Sequence, residues 1–240
     1  MIADGVLDGV DIAVGAHIRP KQDLPLGTFC AAVRHSASAT FAVTLEGRSA
    51  HAARPHLGVN PLEAEASLIQ SLALRHWNPA QTWSVKATRM TCEPGAANSL
   101  PTWVRVVFDV RAETNPLMDE VTEGFTRSLS AVETGFGVTG RFENLESCPA
   151  AEYDDELVRS LSDTIVETFG QEALAADCGG GGGGEDFHFY KSARPELRAV
   201  YFRIGTGATP SLHDRHMTFD ESMLEKGVAL FEAFPLKLLR

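Results

Sequence analysis

Positive charge is in short supply in this 240-residue chain: 21 Lys and Arg stand against 32 Asp and Glu, a formal net charge of −11. Sequence-independent nucleic-acid binding depends on clustered Lys and Arg, so that class is disfavoured. An RNP-type aromatic and basic motif is also missing. No stretch reaches the ~18 apolar residues of a membrane helix. The acidic start, Met1-Ile2-Ala3-Asp4-Gly5, lacks the apolar centre of a signal peptide. Cysteine is sparse. Cys30, Cys92, Cys148 and Cys178 lie far apart with no Cys-x-x-Cys, which disfavours a disulfide framework or an all-cysteine zinc site. They read as scattered reduced thiols of a cytoplasmic protein. Neither a Gly-x-Ser-x-Gly elbow nor a His-Glu-x-x-His run occurs, and there is no Glu-Glu pair anywhere.

What is present is globular in character. Hydrophobic residues make up 44% and charged residues 22%, which argues against global disorder. Six of the 21 glycines form one run, Gly179–Gly184, so the glycine excess is a single local feature.

Val10–His17 reads as a short strand. Phe41, Val43 and Leu45 alternate with Thr40, Ala42, Thr44 and Glu46 as in a half-buried strand. Asn60-Pro61 opens a helix with Leu62, Ala66, Ile69, Leu72 and Ala73 on one face. Trp83–Thr91 and Trp103–Arg111 are two further strands. Asn115-Pro116 opens a second helix striped by Leu117, Val121, Phe125, Leu129 and Val132, and Gly137–Leu145 is the closing strand. The order strand, helix, strand, strand, helix, strand is that of a ferredoxin-like βαββαβ block. Beyond it come a helix at Asp154–Phe169, a buried strand at Val200–Ile204 and a last helix capped by Asp220. Residues 1–35 and 148–240 are thus expected to be parts of one α/β domain interrupted by a ferredoxin-like domain over 36–147.

Of the eight histidines, those beside turn residues are the better candidates for chemistry. His17 ends a strand, where sites in open α/β sheets form. It is either a metal ligand or a plain strand-end residue. His213 and His216 lie in a polar loop. His51 sits among small residues in Gly47-Arg48-Ser49-Ala50-His51-Ala52, and is either a donor or general acid toward a substrate or is bonded within its own loop. Asn98 and Arg111 bracket a strand. They could grip a carboxylate together, or Arg111 could pair with Asp109 or Glu113. The glycine run, followed by Glu185-Asp186-Phe187, is not a phosphate loop. It is either a tether or a close backbone approach to a ligand.

In order, Gly15-Ala16-His17, Gly47 to Ala52, Asn98 to Pro101, Asp109 to Arg111, Gly183 to Phe187 and Leu212-His213 ahead of Phe219-Asp220-Glu221 resemble a known family. It is the co-catalytic metallopeptidase and amidohydrolase family of aminoacylase, hippurate hydrolase, carboxypeptidase G and succinyl-diaminopimelate desuccinylase. The resemblance implies a zinc-peptidase-like α/β catalytic domain interrupted by a ferredoxin-like dimerisation (lid) domain. It also implies hydrolysis of N-acyl amino acids or small peptides by metal-activated water in a homodimer. By position, His17 and His213 would ligate metal. His51 would reach across the dimer to an oxyanion, and Asn98 and Arg111 would bind substrate. The family's two divalent ions (Zn, Mn, Co or Ni) would find an incomplete ligand set here, because the His-x-Cys-Gly-His-Asp run and the Glu-Glu pair are missing. The chain is therefore expected to be N-terminally truncated. The alternative expectation is a catalytically incomplete dimerising fragment.

Overall fold

A computed structural model of the chain describes residues 1–93, 95–176 and 183–239. Cys178 and most of the glycine run lie outside the described residues. The chain divides into two compact units, Ser36–Ala150 and Met1–His35 with Ala151–Arg240.

The Ser36–Ala150 unit contains β3 (Ala37–Glu46), α1 (Pro61–Ala73), β4 (Trp83–Cys92), β5 (Trp103–Ala112), α2 (Asn115–Phe136) and β6 (Thr139–Cys148). Its four-stranded sheet has the order β4-β5-β3-β6 with every pairing antiparallel. This is the ferredoxin-like arrangement. Alternation sorts the side chains. Ala39, Phe41, Val43 and Leu45 of β3, with Val104, Val106, Phe108 and Val110 of β5, are buried in one cluster with Leu68 and Leu72 of α1 and Val121, Phe125 and Leu129 of α2. Phe125 stands edge-on to Phe41 and to Phe108, with centroids 5.2 and 5.1 Å away. Asn60 caps α1 by accepting the Leu62 N–H. For α2 the cap is Thr114 rather than the expected Asn115, whose side chain accepts the Ala150 N–H at 2.7 Å instead.

The second unit is built on β1 (Ile12–Pro20), β2 (Phe29–Cys30) and β7 (Arg198–Ala208), in the order β1-β7-β2. β1 runs parallel and β2 antiparallel to β7. Helices α3 (Asp155–Phe169) and α5 (Ser222–Leu238) cover one sheet face, where Leu157, Leu161, Ile165, Leu230 and Phe234 pack on Val200, Phe202 and Ile204. Two elements escaped the sequence reading: the two-residue β2 and the short α4 (His188–Ala193). Asp220 accepts the Ser222 N–H, while the α5 cap position itself is Glu221. Cys30 is disulfide-bonded, which corrects the reading of all four cysteines as reduced thiols. Cys92 is free and exposed. Among the described residues no helix is long and apolar enough to cross a membrane.

A carboxyl group is buried in the core of the Ser36–Ala150 unit. Glu65 of α1 is 0% exposed, and neither carboxylate oxygen has a hydrogen-bond partner. Burial raises its pKa from 4.5 to about 8. The acid is protonated when folded and ionised when unfolded between those values, so stability is full below pH 4.5 and falls as pH rises toward 8. Between pH 4.5 and pH 7 the loss is about 3 kcal/mol. Glu65→Gln, which cannot ionise, is expected to remove this slope. All three tryptophans (Trp77, Trp83, Trp103) lie in this unit, so urea midpoints read by their fluorescence at pH 5 and 7.5 check it. Equal slopes for both proteins would contradict it.

Candidate active-site elements

The loop after β3 is built by close backbone contact. Arg48 and Val59 exchange N–H···O bonds of 2.9 Å each, which brings the two ends of the loop together. A Cβ on Gly47 would run into the Val59 carbonyl, and one on Gly58 would stand 2.7 Å from the Arg48 oxygen. The loop then zips to the segment before β5: Ala52 N–H donates to Asn98 O and Leu100 N–H to Ala50 O, both at 2.8 Å. His51 and Asn98 are thereby presented together, both exposed, with His51 Nε2 3.3 Å from the Asn98 side-chain amide. His51 Nδ1 accepts the Ala53 N–H at 3.1 Å, so the ring proton sits on Nε2. Asn98 must then turn its oxygen to that proton, and the pair carries an N–H that a substrate oxygen can claim.

Arg111 is elsewhere. Its guanidinium forms a bidentate pair with Asp109, Nε to Oδ1 at 2.9 Å and Nη2 to Oδ2 at 2.7 Å. The Arg111 hydrogen bonds hold the Asp109 carboxyl below its usual range. Trp103 and Arg111 are eight residues apart on β5, roughly 26 Å at ~3.3 Å per residue. Asn98 precedes Trp103. One copy of the chain therefore cannot bring His51, Asn98 and Arg111 onto one small ligand.

In the other unit, His17 lies on β1 opposite Arg203 of β7. Its Nδ1 donates to the Ile18 carbonyl at 2.6 Å, leaving Nε2 as a lone pair suited to a cation. His213 stands in the middle of a loop closed by reciprocal Thr209–Thr218 bonds of 2.9 and 3.0 Å. Among the described residues it alone, other than glycines, has a positive φ, 65°. Such a conformation is mildly strained and concentrates at functional sites. Yet no group of three or more His, Cys, Asp or Glu that could hold a metal is assembled among the described residues. The donor set does not fit a dinuclear centre by itself.

Sequence reasoning missed a buried polar cluster on the sheet face opposite α3 and α5. Arg19 Nη2 donates to His35 Nε2 at 3.2 Å, so His35 donates from Nδ1 to His188 Nε2 at 2.9 Å. Tyr201 donates to Glu185 at 2.6 Å, and Arg203 is 2% exposed beside them. The only available signal was period two along β1, which puts Gly15, His17 and Arg19 on the face away from Ile12, Val14 and Ala16. His35 and His188 lie outside any periodic run. Burial is the first cause that lowers His35 to about 3 and His188 to about 4. His188, Arg203 and Arg19 push His35 further down.

Residues 33–133 match the peptidase dimerisation domain of the M20 family. Across 92% of its length the chain is 26% identical to the N-acetylcysteine deacetylase of Bacillus subtilis strain 168, of which it spans 57%. It is also 26% identical, over 94% of its length, to an N-acetyl-L-cysteine deacetylase of the same organism, spanning 53% of it. A dinuclear metal-binding M20 peptidase of Bacillus subtilis superposes with a TM-score of 0.75 at 21% identity, over 97% of this chain and 58% of that one. The chain is thus similar to M20 proteins, the match to the family's own dimerisation domain covering residues 33–133. Its fold is that of the dinuclear M20 peptidase on which it superposes, and it spans a little over half the length of these relatives.

The buried histidine pair makes the chain acid-sensitive. Unfolded imidazoles take protons near pH 6.5, whereas these two stay neutral to about 3 and 4. Stability is therefore full above pH 6.5 and is lost as pH falls through those values, roughly 2 kcal/mol per ring by pH 5. His188→Gln keeps an acceptor for His35 and cannot ionise, so it is expected to shrink the loss. Amide protection factors of β7 at pH 7 and pH 5 measure this, and an unchanged pH dependence would refute it.

Proposed function

We propose that this chain is the dimerisation domain and part of the catalytic domain of an amidohydrolase that cleaves the amide bond of N-acyl amino acids or small peptides. The observation that carries the reading is the exposed His51–Asn98 pair with its proton fixed on Nε2. A tetrahedral intermediate puts negative charge on the former carbonyl oxygen. With the Asn98 oxygen accepting the Nε2 proton, the neutral N–H of the Asn98 amide would be the donor left to meet that charge, on segments held by backbone contacts. Two divalent ions belong to this reading and would supply the activated water, with His17 and His213 the candidate contributors among these residues. The donors present do not complete such a centre, so this chain's share is confined to binding and oxyanion stabilisation. A homodimer and a cytoplasmic location belong to the same reading.

The separation of His51–Asn98 from Arg111 along β5 supports a site shared between two copies. One copy would lend His51 and Asn98, and the other Arg111 and the metal-side residues, with the guanidinium exchanging Asp109 for a substrate carboxylate. The second reading, a dimerising fragment without activity of its own, is favoured by the unassembled donor set.

The test is amine release from N-acetyl amino acids with Mn²⁺, Zn²⁺, Co²⁺ or Ni²⁺, by the chain alone and by the chain extended through its upstream reading frame. Turnover by the extended protein alone is expected. Turnover by neither would overturn the amidohydrolase reading, and turnover by the chain alone would overturn the fragment reading. In the extended protein, His51→Ala and His213→Ala are each expected to be inactive. Mixing them should restore about a quarter of wild-type activity, because half the dimers are mixed and each has one intact site. No recovery on mixing would place His51 in its own subunit's site.

A further inference from the structure

Within the Ser36–Ala150 unit, a cavity of about 400 Å³ is walled by the same two segments that carry His51 and Asn98. Ser49 lies two residues before His51, and Ser99 follows Asn98. The cavity also touches Leu62 at the start of α1, Cys92 at the end of β4, and Glu93. Glu93 is the one acidic or basic side chain in this lining. Its Oε2 accepts both the backbone N–H and the hydroxyl of Thr102, each at 2.7 Å. These bonds keep the carboxyl below its ordinary range, so it is ionised at neutral pH. Among the described residues no Lys or Arg pairs with it, and Oε1 has no partner.

An unpaired, pinned carboxylate in a cavity that it shares with two serine hydroxyls, the remaining lining being small or apolar, selects by charge. It repels a second carboxylate. It favours a cation that can donate to Oε1 and to the Ser49 and Ser99 hydroxyls. Leu62 and Leu100 offer apolar surface for an alkyl stem. A single carboxylate with two hydroxyls is a poor cage for a divalent ion, which takes more oxygen ligands. An alkylammonium, with three donors and an apolar stem, matches the lining.

We propose that this cavity is a subsite for a substrate's alkylammonium group, read by Glu93, so that the preferred substrates are N-acyl amino acids with a lysine-like side chain. The proposal rests on the amidohydrolase reading, but its test does not use hydrolysis. Cys92, a free and exposed thiol on the cavity wall, serves as the reporter.

The rate of Cys92 alkylation by iodoacetamide is followed by peptide-resolved mass spectrometry. It is measured with Nα-acetyl-lysine, with N-acetylnorleucine (a similar stem ending in a methyl) and with N-acetylglutamate. Nα-acetyl-lysine is expected to protect at concentrations about ten-fold below those at which the other two do. Glu93→Gln, which keeps an acceptor for Thr102, should abolish that preference. Ala97→Phe, which fills the cavity, should abolish protection, and tryptophan fluorescence reports that both variants fold. Equal protection by all three compounds, no protection by any, or a preference that survives Glu93→Gln would each overturn the proposal. Failure to detect amide hydrolysis would leave these outcomes unaffected.

Discussion

The pairing of β3 with β5 is the constraint on which the dimerisation unit depends. Ten residues of each strand pair in one unbroken antiparallel register, Ala37 with Ala112 through Glu46 with Trp103. That register places Phe41 against Phe108, Val43 against Val106 and Leu45 against Val104 on one face. A slip of one residue would turn the row outward and expose several side chains, each worth ~2 kcal/mol or more when buried. It also fixes the chemistry at the two sheet ends. At one end β3 runs out into Gly47 and the His51 loop while β5 begins after Asn98. At the other end β5 delivers Asp109 and Arg111.

The smaller sheet meets its constraint differently. β1 and β7 alternate, so one face is apolar and the other carries His17, Arg19, Tyr201 and Arg203. Desolvation, with Arg19 close by, lowers Arg203 to about 10, and the guanidinium remains charged at neutral pH. One buried and one partly buried cation sit beside two buried imidazoles, an arrangement that is tolerable because both imidazoles stay neutral. The directed chain from Arg19 through His35 to His188 fixes where each proton sits. Charge is concentrated in the guanidiniums, where Asp23 and the two tyrosines offset it in part.

What the sequence revealed follows from how local each signal is. The α2 stripe, Leu117 to Val132, is visible because period 3.6 is written in the side chains, and every member is buried. The four strands of the ferredoxin-like sheet alternate or are bounded by turn residues, so their existence was readable even where ends shifted by up to three residues. β2 is two residues long and exists because Phe29 and Cys30 meet Ile204 and Arg203, a distant pairing with no local pattern. Glu65 reads as an ordinary polar helix residue, and its burial is decided by the packing of α1 on the sheet. Site geometry was the least legible. That Asn98 and Arg111 bracket one strand is plain in the sequence. That bracketing a ten-residue strand means standing at opposite ends of it follows once the strand is extended. Arg111 held by Asp109 was one of two open readings, and the structure realises it.

That separation bears directly on the proposed activity. Within one copy His51 and Asn98 lie toward the opposite end of β5 from Arg111, too far apart to hold one N-acyl amino acid in the proposed roles. In the proposed homodimer a two-fold axis would resolve this by presenting each residue twice, so that the His51 end of one copy could face the Arg111 end of another. Glu93 then acquires a meaning beyond its own loop. It lies at the His51 end, so the cavity it guards would receive part of a substrate anchored on the neighbouring copy. Specificity for the side chain and stabilisation of the oxyanion would come from one copy, and the grip on the carboxylate from the other. Dimerisation would then be a condition of recognising the substrate as well as of hydrolysing it.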